Sequence, residues 1–255
     1  MPESFAQSAE PSTASPVAQT VVPSASRTVR ERVRLELAGE IKAVALAQLA
    51  SGGGASLSLR AIAREMGMAS SALFRYFPNR DALLTALIID SYSSLAEAAE
   101  TAEAQVHQKT LQDRWAAICH GVRSWALAHP HEYALIFGSP IPGYAAPTGT
   151  VAPASRVPLL LGDLLGDLMS GNSYDAAAHS QPSIAVQRAI DPVRAMMPRG
   201  VPSGLMARGI IAWTCLFGAV SFEVFGHHHN VIADPEAFFA HEIRQLATLV
   251  GLAPA

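Results

Sequence analysis

The sequence predicts an all-α protein with a small N-terminal helical domain and a larger helical body. Half of its 255 residues are hydrophobic, which is enough for a sizeable core and excludes a wholly disordered chain. Alanine and leucine dominate, while valine, isoleucine and threonine form no alternating runs, which favours helices over sheets. Along most of the chain the apolar residues also recur at helical spacing.

The N-terminal region predicts a tail and then a long first helix. Residues 1–26 are rich in Ser, Ala and Pro and almost free of charge, so we expect a disordered tail. A helical pattern begins at Thr28 and stops at the glycines 52–54, because glycine adopts left-handed backbone conformations at little steric cost.

Two short helices and a long one are predicted next. The first short helix begins near Ser58 and the second near Ala69 or Ser70, and Pro78 ends the second. Asn79 is then the predicted N-cap of a leucine-rich fourth helix. The predicted organisation is a tail of residues 1–26, a first domain of residues 27–85 and a body of residues 86–255.

The body predicts helices separated by proline-rich segments. An apolar stripe with two tryptophans indicates a helix from Leu111 to His129, where Pro130 breaks it. Five prolines within residues 139–158 predict a long irregular loop, which either covers a pocket mouth or is disordered. The remaining predictions are a short segment at 132–137, a helix at 159–169, a loop at 171–182 and, at 183–197, a helix broken by Pro192.

The last two helices have the clearest pattern. The first, roughly Leu205 to Phe225, is apolar almost all the way round, so it must be covered on more than one side. The second begins at Asp234, a capping residue, which is followed by Pro235 at the first helical position.

Cysteine usage and hydropathy predict a cytoplasmic protein without a membrane partner. Cys119 and Cys215 lie far apart in apolar helical patterns that favour burial, and they indicate neither a disulfide scaffold nor a redox switch. No secretory signal is visible at the start of the chain. The most apolar stretch, Ile210 to Phe225, is expected to be too short for a membrane span and contains Glu223.

Charge is distributed unevenly along the chain. The net charge is −3, from 18 Lys/Arg and 21 Asp/Glu. Nine of the basic and four of the acidic residues fall between Arg27 and Arg80, so this segment carries +5 and the rest of the chain −8. A basic segment on an acidic body indicates one DNA-facing domain attached to a body that avoids DNA.

The segment LSLRAIAREMGMASSALFRYFPNRDALL, residues 57–84, contains two short amphipathic helices. Gly67 lies between them, where a tight turn needs a residue that tolerates positive φ. Two short helices joined in this way form a helix-turn-helix, which leaves the start of the second helix free to enter a major groove. Leu73, Phe74 and Phe77 are expected in the core rather than at DNA.

The string GMASSALFRYFPNRDALL resembles the end of the DNA-binding domain of TetR-family regulators. It has a glycine turn, a short helix ending aromatic-X-Tyr-Phe-Pro, and a polar-basic-acidic triplet that opens a leucine-rich helix. The resemblance covers about residues 28–85. It implies a homodimeric regulator, not an enzyme, that reads double-stranded operator DNA with its third helix and represses transcription until a small molecule releases it.

The same resemblance assigns DNA contacts to the helix-turn-helix. Arg75 is expected to read a guanine edge, because its guanidinium fork matches two acceptors. Arg80 is expected to hold a phosphate together with the first amides of the fourth helix. Arg64 is expected to be a solvated charge or an ion-pair partner. The expected DNA-binding residues are Arg60, Ser70, Ser71, Ala72, Arg75, Tyr76 and Arg80.

Two positions depart from the family pattern. Many members have a lysine where this chain has Ser70 and a Ser or Thr cap where it has Ala69, so one phosphate contact is lost. A helical ligand-binding or adaptor protein that no longer binds operator DNA therefore stays open as a second hypothesis. The lost contact could be replaced by a basic arm formed by Arg27, Arg30, Arg32 and Arg34.

The body resembles, more weakly, the WHG-type ligand domain of one branch of TetR-like regulators. The matching strings are RSWALAHPHEYALIFGSPIPGY and AWTCLFGAVSFEVFG, although Thr214 and Cys215 replace His-Gly after Trp213. The resemblance implies dimerisation through the last two helices and a pocket for a small apolar ligand, whose binding moves the DNA-binding heads. The residues that either line this pocket or simply fill the core are Trp115, Cys119, Phe137, Tyr144, Trp213 and Phe217.

No cofactor, metal site or catalytic motif is predicted. His227, His228 and His229 are adjacent, so their imidazoles point in different directions, and no cysteine or acidic residue follows at metal-binding spacing. A nucleophile elbow, a phosphate-binding loop, an HExxH pair and a CxxC motif are all absent from the sequence.

Overall fold

The computed structural model describes residues 28–52, 56–171, 181–197 and 199–252, and in these residues it contains ten α-helices and no strand. The predicted all-α fold is therefore confirmed. The predicted tail and most of the predicted loop at 171–182 lie outside the described residues. The helices are α1 (Val29–Gly52), α2 (Leu59–Glu65), α3 (Ser70–Phe74), α4 (Arg80–Ala104), α5 (Leu111–Ala128), α6 (Pro130–Phe137), α7 (Val151–Ser170), α8 (Ile184–Met196), α9 (Ser203–Val224) and α10 (Pro235–Leu249).

Two compact units make up the chain, residues 1–37 and residues 38–255. The described part of the first is the start of α1, which a reciprocal pair of hydrogen bonds caps. The Thr28 amide donates to the Glu31 carboxylate at 2.8 Å, and the Glu31 amide donates to the Thr28 hydroxyl at 3.3 Å. The remainder of α1 and all later helices belong to the second unit.

Capping residues begin three helices of the second unit, and two of these caps, Asn79 and Asp234, were predicted from the sequence. Ser58 is the N-cap of α2, and its hydroxyl accepts from the Ala61 amide. The Asn79 side chain accepts from the Ala82 amide at 2.8 Å at the start of α4. Asp234 caps α10, whose first residue is a proline, as predicted.

Residues 139–158 do not form one long loop, so that prediction is wrong in its second half. Helix α7 begins at Val151 and contains both Pro153 and Pro158. Pro153 lies in the first turn, where a backbone N–H has no intrahelical partner to lose. Pro158 costs one backbone hydrogen bond, but Val157 before it and Leu161, Leu164 and Leu165 after it are buried and hold the helix together.

Two further expectations about helices are wrong. Pro192 does not break the helix at 183–197, because α8 runs through it to Met196. The apolar stretch is also not too short for a membrane span, since it belongs to α9, which has 22 residues and an 18-residue window of mean hydropathy 1.6. By length and composition α4 would pass the same test, but 39% and 33% of the apolar windows of α4 and α9 are buried inside the protein.

The core of the body lies between α4, α5, α7, α9 and α10. Four of its side chains are at most 1% exposed, namely Leu95, Ile118, Leu164 and Leu216. Tyr133 of α6 is fully buried, and its hydroxyl donates to the Phe217 carbonyl at 3.1 Å. Buried polar groups must keep hydrogen-bond partners, so this tyrosine fixes α6 against α9.

Ion pairs connect the helices around this core. Glu103 of α4 accepts from Arg114 of α5 at 2.6 Å, and Arg114 also donates to Asp167 of α7 at 2.8 Å. Burial works to raise the pKa of Glu103, but hydrogen bonds from His107 and Arg114 outweigh it and lower that pKa. The ionised carboxylate is therefore the form that the fold stabilises.

Candidate DNA interface and ligand cavity

A tight turn sets the angle between α2 and α3. Gly67 has φ of +64°, as predicted from the sequence, and the Met68 amide donates to the Ala63 carbonyl at 2.8 Å. A side chain at position 67 would meet no neighbour, so the positive φ is the reason for glycine. The two helices and this turn form the helix-turn-helix.

The predicted DNA-binding residues lie on or beside the two short helices. Ser71 and Arg75 are exposed on α3 and at its C-cap, and Arg60 is exposed in the first turn of α2. Ser70, Ala72 and Tyr76 are half-buried on the same segment, and Arg80 begins α4.

Two buried residues anchor the short third helix, and a third residue is placed differently from the prediction. Leu73 is fully buried and Phe77 is buried, as expected. Phe74 is 41% exposed, so the expectation that it belongs to the core is wrong. Its exposure follows from helix geometry, because Leu73 already points inward and the next residue turns about 100° away. Phe74 is therefore an exposed aromatic residue next to Arg75 in the sequence. Its residue type alone did not predict this exposure.

Three arginines of the helix-turn-helix have no acidic partner among the described residues. Arg60, Arg64 and Arg75 are exposed and form no ion pair within that part of the chain. Arg80 lies 3.7 Å from Asp81, measured between the guanidinium and carboxylate atoms. Positive charges that the protein does not neutralise are suited to phosphate groups.

The body contains a cavity of about 680 Å³ bounded by α4, α6, α7, α9 and the 138–147 loop. Four of the six predicted pocket residues line it, namely Phe137, Tyr144, Trp213 and Phe217. Its described lining contains no charged side chain. A cavity of this size with apolar walls and a few hydroxyl groups is typical of small-molecule sites.

The other two predicted pocket residues lie elsewhere in the core. Trp115 is buried, and its indole N–H donates to the Ile243 carbonyl at 2.9 Å. Cys119 is fully buried on the same helix, and burial raises the pKa of its thiol. Cys215, in contrast, is exposed, so the expectation that both cysteines are buried is wrong.

Three hydroxyl groups around the cavity donate to backbone carbonyls. Tyr92 donates to the Ile136 carbonyl at 3.3 Å, and burial raises the pKa of this phenol, which keeps it neutral. Thr150 donates to the Pro147 carbonyl and Ser155 to the Val151 carbonyl, each at 2.8 Å. The lone pairs of these three oxygens are what remains for a ligand.

The outward side of α9 carries an apolar stripe. Ile211 is 50% and Phe222 54% exposed, and Cys215 and Gly218 lie between them on the same face. A side chain at Gly218 would meet open space. On the opposite face Trp213 and Phe217 reach the cavity, so α9 has apolar residues on both sides.

The histidines after α9 do not form a metal site in the described residues. No group of three or more His, Cys, Asp or Glu side chains with metal-binding geometry occurs there. His227 and His228 instead pack against the Phe222 ring, with ring centroids 5.1 and 5.7 Å apart.

Comparison with known proteins decides the family. A model of bacterial regulatory proteins of the tetR family matches residues 41–87, and a model of tetracyclin repressor-like C-terminal domains matches residues 115–246. HTH-type transcriptional regulators of Mycobacterium tuberculosis and Mycobacterium bovis are 33% identical over 230 residues, which cover 87% of this chain and 95% of each relative. The chain belongs to the TetR family. It is thus a transcriptional regulator with a helix-turn-helix DNA-binding domain, and not an enzyme.

Solved structures agree with this assignment. The crystal structure of the regulatory protein SCO4313 is 35% identical, with a TM-score of 0.72, and the match covers 87% of this chain and all of that one. A tetR-family regulator from a Shewanella species, 18% identical with a TM-score of 0.53 over 84% of this chain and 95% of its own, shares the fold. TetR-family regulators bind operator DNA, act as dimers and are typically cytoplasmic.

Proposed function

We propose that this TetR-family regulator is a cytoplasmic repressor whose residues 27–85 bind operator DNA and whose residues 86–255 bind a ligand and dimerise. The exposed arginines of the helix-turn-helix support the first part. Arg75 reads a guanine edge at the end of α3, while Arg60 and Arg80 hold phosphates. Phe74, exposed beside Arg75, contacts the methyl group of a thymine. The remaining contacts of α3 are Ser70, Ser71, Ala72 and Tyr76.

The dimer forms through α9 and α10. The stripe from Ile211 to Phe222 is too apolar to face water over three turns, and Phe238 of α10, 40% exposed, extends it. Because a two-fold axis pairs identical surfaces, the same stripe serves both subunits. Gly218 at its centre lets two copies of α9 approach closely. The dimer places two copies of α3 at successive major grooves.

Release from the operator follows binding of an apolar molecule in the 680 Å³ cavity. The cavity is bounded by α4, which continues directly from the helix-turn-helix through Arg80. A ligand that prefers one position of α4 shifts the equilibrium between two spacings of the DNA-binding heads. Phe137, Tyr144, Trp213 and Phe217 supply the aromatic contacts.

The observation that carries this proposal is the unpaired charge of Arg75 at the end of the third helix. Arg75→Ala should weaken binding to the chain's own upstream DNA by about 1–3 kcal/mol, or roughly 5- to 150-fold, in a mobility-shift titration. Arg64→Ala removes the same charge from the exposed end of α2 and should cost less than fivefold. If wild type shows no sequence-preferring binding at low salt, the protein is instead a helical ligand-binding or adaptor protein.

A further inference from the structure

A second cavity adjoins the one already described. Its volume is about 260 Å³, and it lies between α7, α8 and α9. Ser155, Pro158 and Trp213 line both cavities. The two volumes therefore lie next to each other at these three residues.

The second cavity is built from flexible apolar side chains. Met196, Met197 and Met206 line it together with leucines, and none of its described lining residues is charged. Unbranched thioether side chains change rotamer easily, so they make room for chains of different length. Gly209 also belongs to the wall, and a Cβ there would come within 2.7 Å of Leu165 Cδ1, so a larger residue would displace the Leu165 side chain.

The lining of the larger cavity determines which polar group of a ligand it can bind. The hydroxyl protons of Tyr92, Thr150 and Ser155 are engaged by backbone carbonyls, which leaves these oxygens as acceptors. No cation lies in the described lining to neutralise a carboxylate or a phosphate, and burying an unpaired charge is costly. The group that matches these three oxygens is therefore a neutral hydrogen-bond donor.

We propose that the ligand is a neutral amphiphile whose donor end occupies the larger cavity and whose unbranched aliphatic chain passes Trp213 into the methionine-lined cavity. This inference rests on the proposed function, because it assumes that the larger cavity binds the ligand. The sulfur atoms and leucines of the second cavity bury the chain, and its length sets which molecules release the operator.

A homologous series of 1-alkanols, from 1-hexanol to 1-tetradecanol, tests the inference. Their affinities are measured by displacement of the uncharged dye N-phenyl-1-naphthylamine. Each added methylene buried in the second cavity should raise the affinity about fourfold, from ~0.8 kcal/mol per CH₂. Dodecanoate should bind at least tenfold more weakly than 1-dodecanol, since the cavity offers no cation.

Variants that fill one cavity at a time separate the two volumes. Met196→Trp and Ile210→Trp narrow the second cavity, and both should bind 1-hexanol like wild type but lose the gain for longer chains. Val151→Trp narrows the larger cavity and should weaken every member of the series. Circular dichroism and thermal unfolding confirm that each variant is folded.

Three outcomes would contradict different parts of the inference and of the proposed function. If wild type binds the series but Met196→Trp and Ile210→Trp show the same chain-length dependence, the second cavity holds no chain, while ligand-controlled DNA binding stands. If 1-dodecanol binds with the predicted chain-length dependence but leaves operator binding unchanged, the inference about the site stands and the proposed release mechanism fails. Absence of binding by all alkanols contradicts the proposed ligand class directly.

Discussion

The hydroxyl groups of Tyr144 and Thr85 lie 2.9 Å apart and share a hydrogen bond, although 59 positions separate them along the chain. Tyr144 lines the larger cavity from the 138–147 loop, and Thr85 lies in the second turn of α4. Since α4 starts immediately behind the helix-turn-helix, this bond joins the wall of the cavity to the helix that supports the DNA-binding head.

Tyr144→Phe should uncouple the ligand from the DNA. In wild type, saturating 1-dodecanol is expected to weaken operator binding at least about fivefold, the lower end of ordinary allosteric coupling. Without the hydroxyl, the alcohol should still displace the dye, but operator affinity should hardly respond to it. Ser170→Ala, which removes a hydroxyl that bonds only within α7 and lines neither cavity, is the matched control and should keep the coupling.

Ser70→Lys should restore a phosphate contact at the start of α3. Each phosphate that a lysine neutralises steepens the dependence of log affinity on log salt by about one, so a dimer gains about two. Operator affinity at low salt should rise with it. Ser124→Lys adds the same charge to the exposed face of α5 and should leave the slope unchanged. Equal slopes in both variants would show that Ser70 does not face the backbone.

Phe74→Ala and Leu73→Ala should separate a DNA contact from a core contact. Leu73 is fully buried, so its truncation should lower the free energy of unfolding by about 2–5 kcal/mol. Phe74 is partly exposed, so Phe74→Ala should cost less stability and weaken operator binding by about fivefold, through lost contact area. Chemical denaturation and mobility shift measure the two effects. If Phe74→Ala leaves operator affinity unaltered, Phe74 does not contact the operator.

Phe222→Glu should dissociate the dimer, because a charge would be buried between two facing α9 helices. Sedimentation velocity is expected to show a monomer. Alkylation should then label Cys215 faster than in wild type, whereas Cys119 should stay unlabelled in both because burial raises the pKa of its thiol. Leu127→Glu, on the exposed side of α5, should leave the dimer intact.

The Glu103–Arg114 pair should make stability fall in acid. The pKa of Glu103 is lowered in the fold, so its contribution is present above its ordinary value of 4.5 and is lost as pH falls below that. Arg114→Met leaves a buried carboxylate without its partner and should cost about 3 kcal/mol at pH 7. In that variant only His107 opposes the effect of burial on Glu103, so the pKa of this carboxyl rises and lowering the pH should recover part of the loss. Arg188→Met, at an exposed position, should change stability little.

Local sequence patterns predicted the helix-turn-helix of this protein well. The helix start near Ser58, the cap at Asn79 and the turn at Gly67 depend on neighbouring residues only, and all three are confirmed. The apolar residue type of Phe74 predicted the wrong location for it. A five-residue helix has few inward-facing positions, and in α3 the buried position is Leu73. The short helix satisfies its burial with Leu73 and Phe77.

The body was harder to predict from its sequence. Prolines at 153 and 158 suggested a loop, but tertiary burial of the α7 leucines outweighs the cost of one lost hydrogen bond. Four cavity residues were found because aromatic side chains are typical of pockets, yet the same signal selected Trp115, which packs inside the core. The bond between Tyr144 and Thr85 spans two distant segments, so no local pattern indicates it.

Because α9 carries Trp213 and Phe217 on its inner face and Ile211 and Phe222 on its outer face, it has almost no position that evolves independently. A substitution that adapts the regulator to a new effector also moves α9, the helix through which a subunit recognises its dimer partner. After gene duplication, sister regulators that diverge in effector preference would therefore tend to lose the ability to form mixed dimers. The two sister regulators would then control their own genes independently, without separate selection against mixed dimers.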